Sequence, residues 1–147
     1  EVRLKTAYIV RCTGFKADDN GKVIEVYAEY DPATRGGNTP DGRKVKGTIH
    51  WVDAKTAVDA EVRLYDNLFT VSDPESGDKN FIEYINENSN EVLKGCKVEA
   101  SLEDLEIPSY YQFMRLGYFC PDSVDCKPGK LVFNRTVSLK DSFKKLK

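Results

Sequence analysis

The sequence predicts an all-β fold, built as barrels or sandwiches and not as an α/β sheet. Three observations carry this. Short segments alternate apolar and polar residues, turn-forming Gly, Pro and Asn separate them, and no segment keeps a helical period.

Val2 to Phe15 reads as one long alternating strand. "ADDNGK" (Ala17 to Lys22) then supplies a hairpin turn, because Asn20-Gly21 favours positive φ. The chain returns as "VIEVYAEY" (Val23 to Tyr30), where Ile24, Val26, Ala28 and Tyr30 share the apolar face and are expected to point inward. "DPATRGGNTPDGR" (Asp31 to Arg43) has no apolar period and reads as an exposed loop. Strands are expected at Lys44 to Val52 and Asp59 to Val71, joined by the short polar connection Asp53 to Val58. "SDPESGDKN" (Ser72 to Asn80) is the clearest linker and the expected boundary between two modules. Past it come a helical or irregular piece near Phe81 to Ile85 and strands at Val92 to Ala100, Tyr110 to Phe119 and Leu131 to Ser138.

A chain of 147 residues suits one domain or two small β modules that share strands. No apolar run approaches the roughly 18 residues that a membrane-spanning helix needs. "EVRLKTAYIV" has no starter Met and no signal-peptide core, and it already reads as a strand, so the chain is expected to begin inside a larger protein. The net charge of −2 hides an uneven distribution: residues 1–50 balance at +2, 51–126 at −10 and 127–147 at +6. Such a chain is no indiscriminate polyanion binder, yet it can present cations on one face.

Cys12, Cys96, Cys120 and Cys126 are too sparse for a secreted disulfide scaffold. "CPDSVDC" separates its thiols more widely than the roughly two-to-four-residue gap of a zinc site, and His50 stands far from both, so reduced thiols and no metal are expected. One histidine without a nucleophile context gives no hydrolase signature. "ATRGGN" lacks the spacing and the lysine of a phosphate loop. An independent enzyme is therefore the weaker reading of these residues.

Readout residues are more promising. Arg3 and Lys5, two apart on an expected strand, project from one face, as phosphate or base contacts or as ordinary exposed charges. In "YYQFMRLGYFCPDS" (Tyr110 to Ser123) rings crowd Gln112 and Arg115. Glutamine offers a donor and an acceptor and arginine a rigid donor fork, which together complement the edge of an unstacked pyrimidine. Strict alternation puts the two on opposite faces, so a bulge or irregular turn near Phe113 or Met114 is required. Tyr111 and Phe113 also suit a sheet interior.

"EVRLKTAYIV", "DGRKVKGTIHWV", "EVRLYDNLF", "YQFMRLGYFCPDS" and "LVFNRTVSLKD" together resemble, in order and over nearly the whole chain, the C-terminal anticodon-binding region of bacterial-type glutaminyl-tRNA synthetase. The resemblance implies two linked β-barrels. Residues 1–75 would form mainly the distal barrel, and 76–147 the return strands of a proximal barrel left incomplete because its first strands lie upstream of Glu1. Open strand edges then imply a distorted proximal half or edge-to-edge dimers.

By the same resemblance, Arg3 and Lys5 match the basic pair that meets the first anticodon nucleotide. Lys5 stands where arginine is more usual, which keeps charge but loses the bidentate fork. Gln112 and Arg115 match the pair that reads the middle uridine, while Arg43, Lys44 and Lys46 receive no nucleotide and read as surface charges. The implied role is recognition of the glutamine tRNA anticodon, so that a cytoplasmic parent ligase attaches glutamine using ATP. Its catalytic domain, with ATP and Mg, would lie elsewhere in the same parent chain. No catalytic residue, membrane or DNA partner is implied for this part. The alternatives are the anticodon region of a glutamyl-tRNA synthetase, another RNA-binding β-barrel, or a protein-interaction β domain.

Overall fold

A computed structural model describes residues 1–139. Lys140, Asp141 and the rest of the basic tail, including the end of "LVFNRTVSLKD", lie outside the described residues. Among the described residues nine strands form two sheets, and the chain divides into two compact units, residues 1–51 and the residues from 52 onward. The all-β expectation is borne out. Among the described residues neither sheet closes into a barrel.

Unit 1 holds β1 (Val2–Leu4), β2 (Ile9–Ala17), β3 (Val23–Asp31) and β4 (Gly47–Ile49) in the order β3-β2-β1-β4. β2 and β3 form the expected hairpin: Gly21 has φ +78°, and the Asp18 carboxylate accepts from the Asn20 and Lys22 amides at 3.0 and 2.9 Å. The expected single strand Val2 to Phe15 is instead broken. The Leu4 amide donates to the Tyr8 carbonyl, the Ala7 amide donates to the Leu4 carbonyl, and Thr6 adopts φ +59°. β1 can then turn back against β2, while its other edge pairs in parallel with β4.

The core of this unit is small. Ile9 is buried, and its amide donates at 2.9 Å to the hydroxyl of fully buried Thr34, which in turn donates to the Asp31 carbonyl at 2.7 Å. The inward face expected for β3 is not found: Ile24, Val26 and Tyr30 are 57, 60 and 60% exposed. β3 is an edge strand, and the small core around Ile9 and Thr34 leaves Ile24 and Val26 largely exposed, while Tyr30 meets Tyr8 edge-on at 5.1 Å.

Unit 2 holds β5 (Val58–Tyr65), β6 (Asn90–Val98), β7 (Tyr111–Phe113), β8 (Gly117–Pro121) and β9 (Leu131–Ser138) in the order β6-β5-β9-β8-β7. β9 is central, parallel to β5 and antiparallel to β8. Consecutive Leu131, Val132 and Phe133 are all buried, as a strand covered on both faces requires. Ala60, Val62, Val98, Phe119 and Cys126 complete the core.

The Ser72–Asn80 segment lies inside this unit, not between the two. The division falls after Trp51 because β5 pairs with β6 and β9, and so belongs with the chain that follows it. The piece near Phe81 is a short 3-10 turn (Phe81–Tyr84), capped reciprocally by Asn80 and Glu83.

Candidate functional site

In unit 2 the expected strand Tyr110 to Phe119 is a hairpin, and this change fixes the geometry of the site. β7 and β8 pair with Tyr111 opposite Phe119, Gln112 opposite Tyr118 and Phe113 opposite Gly117. Met114, Arg115 and Leu116 make the turn, closed by the Leu116 amide donating to the Phe113 carbonyl at 2.9 Å. Arg115 adopts φ +67°, a conformation usually left to glycine or asparagine in such a turn. Gly117 is the residue that permits the return. A Cβ there would stand 2.6 Å from the Val137 carbonyl oxygen, so a side chain would push β8 off β9.

The hairpin separates the rings by function. On the inner face Phe113 stacks on Phe119 with centroids 4.4 Å apart and meets Phe133 edge-on at 5.2 Å; Tyr111 meets Phe133 at 6.1 Å. These four rings are scaffold. Gln112 is exposed on the outer face, as is its partner Tyr118, and Arg115 is exposed at the turn. The irregular turn that Gln112 and Arg115 require is therefore present, and both belong to one hairpin. Tyr118, which the sequence presented only as one ring among several, becomes the direct neighbour of Gln112. Reading Gly117 as a turn signal would have revealed that register.

In unit 1, Arg3 lies on β1, half-buried. Its Nε donates to the Gly37 carbonyl, and its Nη1 lies 3.5 Å from both the Val45 carbonyl and Thr48 Oγ1. Gly37 has φ +87°, and a Cβ there would come within 3.0 Å of Arg3 Cδ, so the loop wraps the arginine closely. Lys5 lies one residue past the end of β1 and is exposed. Its amide donates to the Ile49 carbonyl at 3.0 Å and its carbonyl accepts from Trp51 Nε1 at 3.1 Å. Arg3 is thus engaged with the loop, while the Lys5 ammonium has no partner among the described residues.

Arg43 is engaged too. It reaches Glu1, Asp31 and Asp41 at 3.1, 2.6 and 2.8 Å, and its hydrogen bonds hold both aspartates below their ordinary pKa. A second ionic group pins the end of β8 in unit 2. Arg63 bonds Glu61, Asp122 and Asp125, and Asp122 also accepts from the Val124 and Asp125 amides and from Asn134 Nδ2. The Asp125 amide, then Asn134 and the Val124 amide, lower the Asp122 pKa to about 2. The four cysteines are free thiols. Among the described residues no three His, Cys, Asp or Glu side chains gather as metal ligands, and no helix is long and apolar enough to cross a membrane.

An all-β chain that presents an amide, a cation and a ring on one exposed hairpin has the equipment of a nucleic-acid-binding module. The family model described as "tRNA synthetases class I (E and Q), anti-codon binding domain" matches residues 48–122, and the chain belongs to that family. Its relatives are glutamine–tRNA ligases. It is 48% identical over 145 residues to that of Clostridium kluyveri, covering 98% of this chain and 26% of the relative. It is 49% identical over 146 residues to that of Vibrio cholerae strain M66-2, covering 99% and 26%. With the ligase of Bradyrhizobium diazoefficiens the identity is 48% over 145 residues, covering 99% and 25%. The chain thus spans about a quarter of the length of the curated relatives it matches. The resemblance to the glutaminyl-type anticodon-binding region stands.

Proposed function

We propose that this chain is the anticodon-binding part of a cytoplasmic glutamine–tRNA ligase and that its partner is the anticodon loop of glutamine tRNA. One observation carries the reading: in a family defined by anticodon binding, Gln112 and Arg115 stand exposed on a single hairpin backed by buried rings. In this proposal unit 1 belongs to the distal barrel, and the strands from residue 76 onward belong to the proximal one. Gln112 and Arg115 read the middle uridine. Lys5 attracts the phosphate beside the first anticodon nucleotide, and Arg3, held by Gly37, presents the remaining edge of its guanidinium there. Activation of glutamine with ATP and Mg belongs to the catalytic domain of the same ligase, outside this chain.

The proposed mechanism is selection by unpaired polar groups. Uridine offers edges that satisfy an amide and a guanidinium. Another base leaves a desolvated donor or acceptor without a partner, at a cost of about 1–3 kcal/mol per group. The difference favours productive placement of the correct tRNA. The test is binding of four anticodon stem-loops that differ only at the middle base. The chain should prefer uridine, and Gln112→Ala should reduce that preference by about 5- to 100-fold. Equal binding of all four RNAs by the unsubstituted chain would overturn the reading.

A further inference from the structure

We propose that the Tyr118 ring is the platform on which the base read by Gln112 stacks. The inference rests on the anticodon-binding reading and adds to it the surface that holds the face of the base.

Tyr118 is the cross-strand partner of Gln112, and directly opposed residues of an antiparallel pair project from the same side of the sheet at close range. The ring is 47% exposed and takes no part in the buried cluster, which Phe113, Phe119 and Phe133 fill from the other side. Its backbone is fixed on both flanks. β7 pairs on one side and β9 on the other, where Tyr118 opposes Val137 and its carbonyl accepts from Thr136 Oγ1 at 3.1 Å. Tyr110 is a poorer platform. It is 79% exposed and precedes β7, so no ladder holds it.

The chemistry supports a division of labour. An amide and a guanidinium complement the polar edge of a base but leave its π faces to water. A loosened base is held when an aromatic side chain covers one face, and that contact is indifferent to base identity. Stacking on Tyr118 then supplies affinity, while Gln112 and Arg115 supply discrimination. Val137, exposed on the far side of Tyr118, gives the row an apolar border.

The experiment uses the 147-residue chain and two stem-loop RNAs, one with uridine at the middle anticodon position and one abasic there. Tyr118→Leu should weaken binding of the uridine RNA by about 5- to 20-fold and leave binding of the abasic RNA unchanged, whereas Tyr118→Phe stays within about twofold of the original on both. Equal losses for leucine and phenylalanine, equal losses on both RNAs, or no loss with leucine would each overturn the proposal. An independent readout needs no variant: a fluorescent pyrimidine at the middle position should be quenched on binding, and unchanged emission counts against stacking. Gln112→Ala separates the two claims. If it abolishes base preference while Tyr118→Leu binds normally, only the platform fails. If the unsubstituted chain shows no base preference, the reading beneath it fails as well.

Discussion

Replacing Arg115 by glycine and, separately, by alanine separates what this residue does to the fold from what it does to RNA. At φ +67° a residue with a Cβ is in the left-handed region, at a cost of about 1–2 kcal/mol. Alanine keeps that cost; glycine removes it but loses about 0.5–1 kcal/mol more backbone entropy on folding. The balance makes Arg115→Gly more stable than Arg115→Ala by about 0.5–1 kcal/mol, or a rise of about 0.3–0.5 M in the urea midpoint. Two units are present, so unit 2 must be followed on its own, through the amide signals of Phe119 and Phe133. Both substitutions delete the guanidinium, so both should lose the same preference for the middle uridine, about 10- to 100-fold for one charge-assisted contact. Coincident midpoints would refute the strain argument. An unchanged base preference in both would refute the role of Arg115. The expected pattern, a stabilised glycine variant that reads the anticodon poorly, is that of strain kept for function.

Lys5→Ala should weaken RNA binding uniformly across the four middle bases and lower the salt dependence, log affinity against log salt, by about 0.7 for one lost phosphate contact; an unaltered slope removes that role. Asp122 links stability to acid. Its folded pKa of about 2 lies below the ordinary carboxylate value of 3.8, so its contribution is complete above about pH 4 and is lost as the pH falls through about 2. After screening, about 1–2 kcal/mol of unit 2 stability should disappear across that window in the original chain and not in Asp122→Asn. Parallel pH profiles in urea unfolding would contradict this.

What the sequence made legible follows from where the information lies. β3, β6 and β9 coincide closely with apolar-rich runs bounded by turns, and the Asn20-Gly21 turn names itself through its chemistry. The two breaks that matter most were hidden because each depends on a non-glycine residue at positive φ, Thr6 and Arg115, inside a run that otherwise alternates. Composition does not announce such a residue; the neighbouring structure imposes it. Long-range pairing was equally invisible. The parallel alignment of β5 with β9 joins residues some 70 positions apart, Ala60 with Leu131, and it moves the unit boundary to Trp51. The outward aspect of β3 has the same origin, since period-two alternation tells which residues share a face but not which face is covered. Among the cations, Arg3 on its expected strand and Arg43 at the end of its expected loop had the look of available charge, whereas loop carbonyls and three carboxylates engage them.

The hairpin of β7 and β8 shows why the site is built on so many rings. Discrimination of about 1–3 kcal/mol between bases survives only if the reading groups are already in place, because ordering a flexible side chain on binding costs about 0.5–1.5 kcal/mol. Gln112 and Tyr118 sit on strands whose alternate residues are locked inside: Tyr111 and Phe113 meet Phe133 in the middle of the sheet, and Phe119 stacks on Phe113. Gly117 lets β8 approach β9 closely, and the Arg63–Asp122–Asn134 bonds fix the far end of β8 to β5 and β9. The inner face thereby removes in advance the motion that would otherwise be lost on binding RNA. Weakening that inner face with Phe113→Leu would leave every reading group in the chain and still blunt its selectivity, because the groups would then have to be ordered at each encounter.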